Sequence, residues 1–371
     1  MKTILHIIDT TGPGGAETVF IQLATGLPSD RYRSVVSIKG KGWVNDELVK
    51  RGVRPVMLDP KGSFNWRYLF ALVRLIRKEH VDLIHSHLLG SNVYGALAGL
   101  ITGTPVIATF HGEVDIGENE RFKILKFLII KAGASSIVAV TDSLREDISE
   151  RTALGRSNID VIYNGIDTRL FQKSPDNTLR DRFGWGTEDI IVGSLGNIRP
   201  AKGYDILLRA ASLLNSEESR YRFVIAGQGE GELFDELMDL QKALGLEDRV
   251  KFMGFIDDAG GFLSNLDIFL SSSVSEGLPL SAIQAMVSRL PIVATRCGGY
   301  EGLINHMENG WLVDVGDPNA LAQAIDTVAP NRELRDKLGG NAYKRANETF
   351  DIHIMFDNYL KLYERIIHSG S

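Results

Sequence analysis

The chain has 371 residues, of which 44% are hydrophobic and 24% are charged, with a net charge of -6. This length predicts two domains, and this composition is typical of an ordinary soluble globular protein that can bury sizeable cores. The single cysteine, Cys297, excludes a disulfide framework and a cysteine-based zinc site, and it fits a reducing compartment. The N-terminal apolar run is too short for a signal peptide, and no run has the roughly 18 apolar residues of a spanning helix, so we expect a cytoplasmic protein.

The charge is unevenly distributed along the chain. Residues 1–173 carry 22 Lys+Arg against 18 Asp+Glu, and the remainder carries 19 against 29. A mildly basic first half favours an anionic surface as its partner. Nucleic acid is not expected as a partner, because no basic cluster is interleaved with aromatic stacking residues.

Apolar runs of strand length alternate with helical patterns along the whole chain. In the first half the predicted strands are ILHII, SVVSI, RPVML, DLIHS, PVIAT, SIVAV and IDVIY, with helices such as 66–80 and 91–102 between them. After YNGIDTRLFQKSPDNT the series restarts with IIVGSLG, RFVIAG, RVKFMG, DIFLSS, PIVAT and GWLVDV. Nearly continuous apolar strands that alternate with helices are typical of parallel sheets with helices on both faces. The sequence therefore predicts an α/β fold of two doubly wound domains, residues 1–168 and 169–351, with a cleft between them.

A glycine-rich segment, GPGG at 12–15, lies between the first predicted strand and a helix expected to begin near Ala16. Main-chain amides at a helix N-terminus can bind an anion where no Cβ atom obstructs them. Glu17 stands where a dinucleotide fingerprint would need its third glycine, and the Gly-Lys-Ser/Thr of a P-loop is absent. From the residues alone, a tight turn without a ligand remains the alternative.

Ligands of open α/β sheets bind beyond the carboxyl ends of the strands, so the loops after the second series of strands are informative. Arg199 and Lys202 follow the strand that ends near Leu195 and precede a helix expected from about Tyr204. Two cations beside a helix N-terminus can clamp a diphosphate. A solvated loop is the alternative.

The segment SEGLPLSAIQAM, at 275–286, follows the strand DIFL. Gly277 allows a sharp turn, and Pro279 is expected as the first residue of a helix that offers the amides of Leu280 and Ser281 to an anion. Glu276 is expected at the carboxyl end of the strand, either as a ligand-binding group or as a partner of the helix dipole. Gln284 follows one turn along the helix, with its side chain leaning back toward the N-terminus.

The chain resembles the retaining glycosyltransferases of family 4, which have the GT-B architecture of two Rossmann-like domains. The segments that carry the resemblance, in order, are GPGGAE, HSH (85–87), TFHG (109–112), VIYNGID…F (161–171), NIRPAKGYD (197–205), IAGQGE (225–230), SEGLPLSAIQAM and ENGWLVDVGD (308–317). The resemblance covers nearly the full length and implies a role in bacterial cell-surface or glycolipid synthesis. It implies a nucleotide-sugar donor, with UDP-sugars favoured over GDP-sugars, held mainly by the C-terminal domain. The acceptor, a hydroxyl of a glycolipid, lipid-linked oligosaccharide or polysaccharide, would be bound mainly by the N-terminal domain.

The resemblance also implies roles for residues around the donor phosphates. Gly14 and Gly15 would lie against these phosphates across the closed cleft, where a Cβ atom would collide. Arg199 and Lys202 would clamp the diphosphate. The remaining donor-binding residues in this prediction are Asn197, Gly227, Gly277, Leu278, Pro279, Leu280, Ser281 and Gln284.

Three further roles concern the sugar and the base. Glu276 is similar to the first glutamate of the family's E-x7-E motif, which holds hydroxyls of the donor sugar. His111 matches the histidine that approaches the donor sugar, although a structural histidine is the alternative. The backbone of Ile256 matches a position that reads the base.

Two positions depart from the family pattern. Gln284 replaces the usual second glutamate, and its neutral amide has fewer acceptors for the ribose hydroxyls. Asn197 replaces the clamp arginine, and Arg199 is expected to substitute for it. Because both changes could weaken donor binding, a catalytically silent sugar-binding subunit is an alternative to the enzyme.

The expected chemistry needs neither a metal nor a cofactor. The sequence has no D-x-D-type motif at the place where a metal would bridge a diphosphate, and the family works without one. A double displacement needs a carboxylate nucleophile close to the anomeric carbon, and the sequence nominates none. Attack from the face of the departing phosphate is therefore the favoured mechanism. A sugar-nucleotide epimerase of the same architecture is the alternative enzyme, supported only by HSH, Glu113 and Asp115.

The segment ERFKILKFLIIKAG, at 120–133, mixes lysines with apolar residues. It predicts either a basic amphipathic helix on an anionic membrane or a domain helix with solvated lysines and an apolar face in the core. In the first case the protein is peripheral on the inner face of the cell membrane. A last helix, 352–371, is expected to return to the first domain.

Overall fold

A computed structural model describes residues 1–60, 64–117, 121–155, 159–171, 174, 176–216 and 219–369 of the chain. These residues form two compact units. Unit 1 comprises residues 1–164 and the segment that begins at His353, and unit 2 comprises residues 165–352. The boundary expected from the sequence was residue 168.

Each unit contains one parallel sheet. The strands of unit 1 are β1 (Lys2–Ile8), β2 (Tyr32–Ile38), β3 (Val56–Met57), β4 (Leu83–His87), β5 (Val106–Phe110), β6 (Ser136–Ala139) and β7 (Ile159–Val161). Those of unit 2 are β8 (Ile190–Leu195), β9 (Tyr221–Ala226), β10 (Val250–Gly254), β11 (Ile268–Ser271), β12 (Ile292–Thr295) and β13 (Trp311–Val313). The order is β3-β2-β1-β4-β5-β6-β7 in unit 1 and β10-β9-β8-β11-β12-β13 in unit 2. The predicted α/β fold with two parallel sheets is confirmed.

The helices lie between the strands. They are α1 (Gly15–Gly26), α2 (Trp43–Lys50), α3 (Trp66–Glu79), α4 (Leu89–Thr102), α5 (Lys123–Gly133), α6 (Asp142–Arg151), α7 (Thr178–Phe183), α8 (Tyr204–Leu213), α9 (Glu232–Ala243), α10 (Ala259–Ser264), α11 (Leu280–Val287), α12 (Gly299–Leu303), α13 (Pro318–Val328), α14 (Arg332–Thr349) and α15 (Ile352–Ser369). Short 3-10 helices occur at Glu113–Ile116, Thr168–Phe171 and Pro200–Lys202. In the part of the chain that the structure describes, no helix is long and apolar enough to cross a membrane.

Local chemistry explains the ends of these elements. Helix α3 begins after Asn65, whose side chain accepts a hydrogen bond from the Tyr68 amide, and it ends at His80 with φ of 50°. The segment RPVML forms only the two-residue strand β3, and both of its residues are exposed. It was predicted as a buried strand, but it pairs on one side only, at the edge of the sheet, where few side chains are covered.

The order of the strands creates one switch point in each sheet. The chain winds from β1 outward to β3 and then restarts beside β1 with β4, and it repeats this pattern with β8, β10 and β11. The loops that follow the two strands at such a point leave in opposite directions, which opens a crevice at their carboxyl ends. Ligands are therefore expected beyond β1 and β4 in unit 1 and beyond β8 and β11 in unit 2.

Helix α15 follows unit 2 in the sequence but belongs to unit 1. Its Tyr359 and Tyr363 are fully buried. Two ion pairs hold its exposed side, Arg31 with Glu364 and Arg365 with Asp160. The helix therefore completes the core of unit 1.

Candidate active site

Two of the residues predicted to bind the donor meet at the switch point of unit 2. Lys202 ends the 3-10 helix after β8, and Glu276 lies in the loop after β11. The Lys202 Nζ atom is 2.6 Å from Glu276 Oε1, and the Ser273 hydroxyl donates a hydrogen bond to the same oxygen at 2.8 Å. The two side chains are 21% and 14% exposed, so a polar ligand can still reach them.

The loops that carry this pair pack directly on each other. The Ser272 hydroxyl donates to the Lys202 carbonyl at 3.0 Å, and the Val274 amide donates to the Ala201 carbonyl at 2.8 Å. Gly203 has φ of 56°, and a Cβ atom there would lie 2.3 Å from the Ser272 carbonyl oxygen. Only glycine fits both the backbone conformation and the close approach.

A pair of glycines in the loop after β12 packs against the backbone of Glu276. The Gly299 amide donates to the Glu276 carbonyl at 3.0 Å. A Cβ atom on Gly299 would lie 1.7 Å from the Gly277 carbonyl oxygen, and one on Gly298 would lie 2.7 Å from that of Glu276. The sequence analysis missed Gly298 and Gly299, although two adjacent glycines shortly after the strand PIVAT were the available signal.

The amides predicted to face an anion lie at the start of α11. Pro279 was expected as the first helical residue, but it is the N-cap, with ψ of 94°, which is outside the helical range, so the helix begins one residue later. The Ala282 amide makes the first intrahelical bond, to the Pro279 carbonyl at 3.0 Å. The amides of Leu280 and Ser281 precede this bond.

The remaining residues predicted in unit 2 have other surroundings. Asn197 accepts a hydrogen bond from the Gln228 amide at 3.0 Å, which ties together the loops after β8 and β9. A Cβ atom on Gly227, where φ is 156°, would lie 2.0 Å from the Gly196 carbonyl oxygen. Packing within unit 2 therefore explains why residue 227 is a glycine. Leu278 is buried, whereas Ile256 and Gln284 are half-buried.

Arg199 differs from Lys202 in its surroundings. Its side chain is exposed, and it forms no salt bridge with the residues that the structure describes. Its carbonyl accepts a hydrogen bond from the Lys202 amide at 2.9 Å. The structure therefore does not bring the Arg199 side chain to the pair of Lys202 and Glu276.

In unit 1 the glycine loop follows β1. Helix α1 begins at Gly15, one residue before the predicted start, and its N-cap Gly14 has no side-chain cap. A Cβ atom on Gly12 would have no neighbour within 4 Å, and one on Gly14 would meet only the Glu17 side chain. Gly14 has an extended backbone with φ of -173°, which any residue can adopt. The described neighbours therefore do not require a glycine at either position.

Four histidines lie together near the switch point of unit 1. His6 on β1 is next to His85 on β4, and His87 points to the same face two residues later. His111 follows β5, with its ring stacked on that of His87 at 5.2 Å between centroids. The Phe20 ring of α1 packs edge-on against His87.

The four histidines differ in how many of their ring nitrogens have a hydrogen-bond partner. His85 has a hydroxyl partner on each nitrogen, Tyr363 at 2.6 Å and Thr109 at 2.8 Å. His87 Nδ1 lies 3.0 Å from His111 Nε2. Both nitrogens of His6, the Nε2 atom of His87 and the Nδ1 atom of His111 are buried without a partner among the described residues.

Burial keeps this cluster neutral. It lowers the pKa of His6 and of His111 to about 3. It also lowers the pKa of His85 and of His87 well below the usual value, with a smaller contribution from the neighbouring histidines. At neutral pH these imidazoles can donate and accept hydrogen bonds, but they carry no charge.

The same cluster includes the only metal-ligand grouping of three or more residues found within the described ranges. One nitrogen each from His6, His85 and His87 lie within 4.8 Å of one another. Histidine ligands of a tetrahedral zinc lie about 2.0–2.1 Å from the ion, which needs a tighter arrangement. His85 would also have to give up one hydroxyl partner to become a ligand. The geometry fits a packed polar cluster better than a metal centre.

Asp115 links the loops that flank the cluster, and the sequence analysis mentioned it only for the epimerase alternative. Its carboxylate accepts hydrogen bonds from the amides of His111 at 2.7 Å and Leu89 at 3.1 Å. Burial nevertheless raises its pKa to about 7. Leu88, between His87 and Leu89, has φ of 72°, so this loop holds a strained backbone.

Comparison with known proteins gives a consistent result. The family model described as glycosyl transferases group 1 matches residues 175–345, and that described as glycosyltransferase family 4 matches residues 13–170. The lipopolysaccharide core biosynthesis glycosyltransferase LpsE of Rhizobium meliloti (strain 1021) is 31% identical over 358 residues, which are 94% of this chain and 95% of that protein.

Two other relatives match over most of their length. The UDP-Gal:alpha-D-GlcNAc-diphosphoundecaprenol alpha-1,3-galactosyltransferase of Escherichia coli is 24% identical over 361 residues, 92% of this chain and 93% of that protein. The crystal structure of Anabaena HepE in complex with UDP and glucose has a TM-score of 0.88 at 26% identity, and the match covers 98% of this chain and 100% of that one.

The buried histidines predict a loss of stability in acid. Their pKa values in the folded protein lie below the usual 6.5, so the unfolded chain binds more protons. The contribution of His6 to the free energy of unfolding is fully present above pH 6.5 and is lost as the pH falls toward about 3. Each such histidine adds up to about 1.4 kcal/mol per pH unit. We expect His6→Leu to reduce this slope by that amount, measured by urea unfolding from pH 7.5 to pH 5.

His85→Leu is the matched variant, because it removes the same titration but also two hydrogen bonds. It is expected to lower the free energy of unfolding at pH 7.5 by about 1–3 kcal/mol, whereas His6→Leu leaves it unchanged or raises it. A similar loss in His6→Leu at pH 7.5 would show that His6 has a partner, such as a metal ion.

Proposed function

The chain belongs to the group 1 glycosyltransferases of GT-B architecture, and from this we propose that it transfers a sugar from a UDP-sugar to a hydroxyl of a lipid-linked or polysaccharide acceptor, with retention and without a metal. The HepE structure, which holds UDP and glucose, favours UDP as the carrier. The names of LpsE and of the Escherichia coli enzyme favour a role in building cell-surface polysaccharide. As a glycosyltransferase, the protein is neither an epimerase nor a silent subunit in this proposal.

One observation carries the donor site, namely the contact of Lys202 with Glu276 at 2.6 Å beyond β8 and β11. A nucleotide sugar places an anionic diphosphate directly beside a hydroxyl-rich sugar. A cation that touches a carboxylate matches these two neighbours, because the ammonium group binds phosphate and the carboxylate accepts hydrogen bonds from hydroxyls. The amides of Leu280 and Ser281 add donors for the phosphates.

The glycine loop of unit 1 supports an additional anion contact. The described part of the chain gives no packing reason for glycine at Gly12 and Gly14. An open loop at a helix N-terminus lets an anion approach the main-chain amides. We keep Gly14 as a proposed donor contact on this ground, together with Gly15, the first residue of α1.

In the proposed mechanism the bond between the anomeric carbon and the phosphate oxygen breaks while the acceptor oxygen binds on the same face. The proton of the acceptor hydroxyl passes to the departing phosphate, whose charge is stabilised by Lys202 and the main-chain amides. Glu276 is already held by Lys202 and Ser273, which suits a positioning role toward the sugar rather than nucleophilic attack. His111 is neutral and contributes hydrogen bonds rather than charge.

The exposure of α5 supports a membrane surface near the acceptor site. Phe127 and Ile130 are its buried side chains, whereas Ile124, Leu125 and Leu128 are 71%, 56% and 49% exposed. Lys123 and Lys126 are half-buried and Lys131 is exposed. A core helix with solvated lysines would show the opposite arrangement. We propose that the described residues of the predicted segment, 121–133, lie on an anionic membrane.

Lys202→Ala and Glu276→Ala test the donor site. Each is expected to lower kcat by about a hundredfold or more, because transition-state charge or sugar position is lost. Turnover and the anomeric configuration of the product can be followed together by NMR with a UDP-sugar that the protein uses. Lys337→Ala, an exposed position on α14, is the control. A decrease below tenfold in both variants, with the fold intact by thermal melting, would contradict the assignment.

Metal independence predicts that a chelator does not change the rate. We expect equal kcat with EDTA and with added Mg²⁺, since Lys202 and the main-chain amides carry the phosphate charge. Rates are measured as release of nucleoside diphosphate in the presence of acceptor. Activity that is lost in EDTA and restored by a divalent ion would refute this part of the proposal.

Flotation with liposomes tests the membrane surface. The protein is expected to float with vesicles that contain anionic lipid and to stay at the bottom with neutral vesicles. The double variant Ile124→Ser with Leu128→Ser should float less, because the apolar area that inserts is removed. Leu213→Ser, at a similarly exposed leucine of unit 2, is the control. Equal flotation of both variants would remove α5 from the interface.

A further inference from the structure

Three consecutive serines, Ser271–Ser273, end the apolar strand β11 and begin the loop that carries Glu276. All three are buried, with exposed fractions of 5%, 1% and 1%. A buried hydroxyl without a hydrogen-bond partner is costly, so each of these side chains needs one. Their partners lead to the pair of Lys202 and Glu276.

Each serine has a different role in the hydrogen bonds of this loop. The Ser272 hydroxyl donates to the Lys202 main-chain carbonyl at 3.0 Å, and the Ser273 hydroxyl donates to the Glu276 carboxylate at 2.8 Å. The hydroxyl oxygens of Ser271 and Ser273 are 3.0 Å apart. A carboxylate accepts hydrogen bonds and donates none, so the single Ser273 proton goes to Glu276. Ser271 must therefore be the donor in its contact with Ser273.

These contacts distinguish the two carboxylate oxygens of Glu276. Oε1 receives both the Ser273 hydroxyl at 2.8 Å and the Lys202 ammonium group at 2.6 Å. Within the residues that the structure describes, no group donates a hydrogen bond to Oε2. The side chain keeps 14% of its surface exposed. Oε2 is therefore the oxygen that remains to accept a hydrogen bond from a ligand.

We infer that Ser273 is a positioning residue for sugar transfer, because its hydroxyl, oriented by Ser271, fixes Oε1 of Glu276 and leaves Oε2 for a hydroxyl of the donor sugar. Ser273 itself does not touch the sugar, and it acts through Glu276. This inference rests on the proposed function, in which Glu276 holds the donor sugar.

Lys202 cannot replace Ser273 in this role. In the proposed function the Lys202 ammonium group also binds the donor diphosphate, and its side chain is long, flexible and 21% exposed. Its hold on Oε1 weakens when it turns toward the phosphates. Ser273 is 1% exposed, and its carbonyl accepts a hydrogen bond from the Thr295 hydroxyl. The position of Ser273 therefore does not depend on the ligand.

The kinetics of Ser273→Ala test the inference. This change removes the hydroxyl but leaves the bond from Thr295 to the main chain, so we expect the variant to fold. We expect kcat to fall about tenfold, because the Glu276 carboxylate loses its fixed partner. Inhibition by UDP, which lacks the sugar, is expected to change less than about twofold. A residue that only stabilises the loop would not separate these two quantities.

Ser136→Ala is the matched control in unit 1. Ser136 is 6% exposed, and its hydroxyl donates to the Asp160 carboxylate at 2.7 Å, while Asp160 also pairs with Arg365. The control thus removes the same kind of hydrogen bond, from a buried serine to a carboxylate that has a cationic partner. Both variants are expected to melt at a lower temperature, but Ser136→Ala should keep kcat within about twofold.

A double-mutant cycle with Glu276→Ala shows whether Ser273 acts through Glu276. Ser273→Ala is expected to lower kcat about tenfold in the otherwise unaltered protein, but less than about twofold when Glu276 is already alanine. An equal loss in both backgrounds overturns the inference, because Ser273 would then act on another group.

Three further outcomes overturn the inference and leave the proposed function intact. They are an unchanged kcat in Ser273→Ala, a loss of kcat matched by an equal weakening of UDP inhibition, and a similar loss of kcat in Ser136→Ala. In each case the unaltered protein still transfers sugar from a UDP-sugar. If the unaltered protein transfers sugar from no UDP-sugar, the proposed function is refuted, and the inference with it.

Discussion

The reversal of winding at one point in each parallel sheet is the constraint on which the candidate site depends. It brings the loops after β8 and β11 side by side, although 74 residues separate Lys202 from Glu276. Two opposite charges that are partly removed from water need each other, since either one alone would be left uncompensated. The closely packed backbones at Gly203 and at Gly298–Gly299 fix where the two charges stand. The topology of the sheet therefore determines where the pair of Lys202 and Glu276 lies, and the packing at the glycines sets the distance between the two loops that carry it.

Much of the fold could be predicted because its signal is local. Each strand was visible as an apolar run, and only β3 proved short and exposed, since an edge position cannot be recognised from hydrophobicity. The importance of Lys202 and Glu276 was predicted from loops that follow strands. Their direct contact was not predicted, because it depends on strand order. The start of α11 was predicted at Pro279, one residue too early, because helix propensity does not distinguish an N-cap residue from the first helical residue.

The histidine cluster could not be predicted, because it depends on register. His6 and His85 are adjacent only since β1 pairs with β4 in one particular alignment. The sequence showed HSH and a histidine after β5, but it did not show that burial would keep all four rings uncharged. A neutral polar cluster can orient a neighbouring loop, and here it adjoins the strained Leu88 and the carboxyl group of Asp115. The cavity in unit 1 that Phe64, Tyr94 and Leu125 line is equally non-local, since its lining comes from two helices, α4 and α5, and from several loops.

The placement of α15 has a consequence for how the chain folds during its synthesis. Tyr359 and Tyr363 cover His85 in unit 1, but the ribosome adds them only after all of unit 2. Until then a nascent unit 1 exposes a partly polar groove where that helix belongs, and its core is unfinished. Unit 2 is continuous in sequence, so it can fold while the earlier half still waits. The half that begins synthesis first is thus the last to be completed, which lengthens the interval in which chaperones and proteases encounter it.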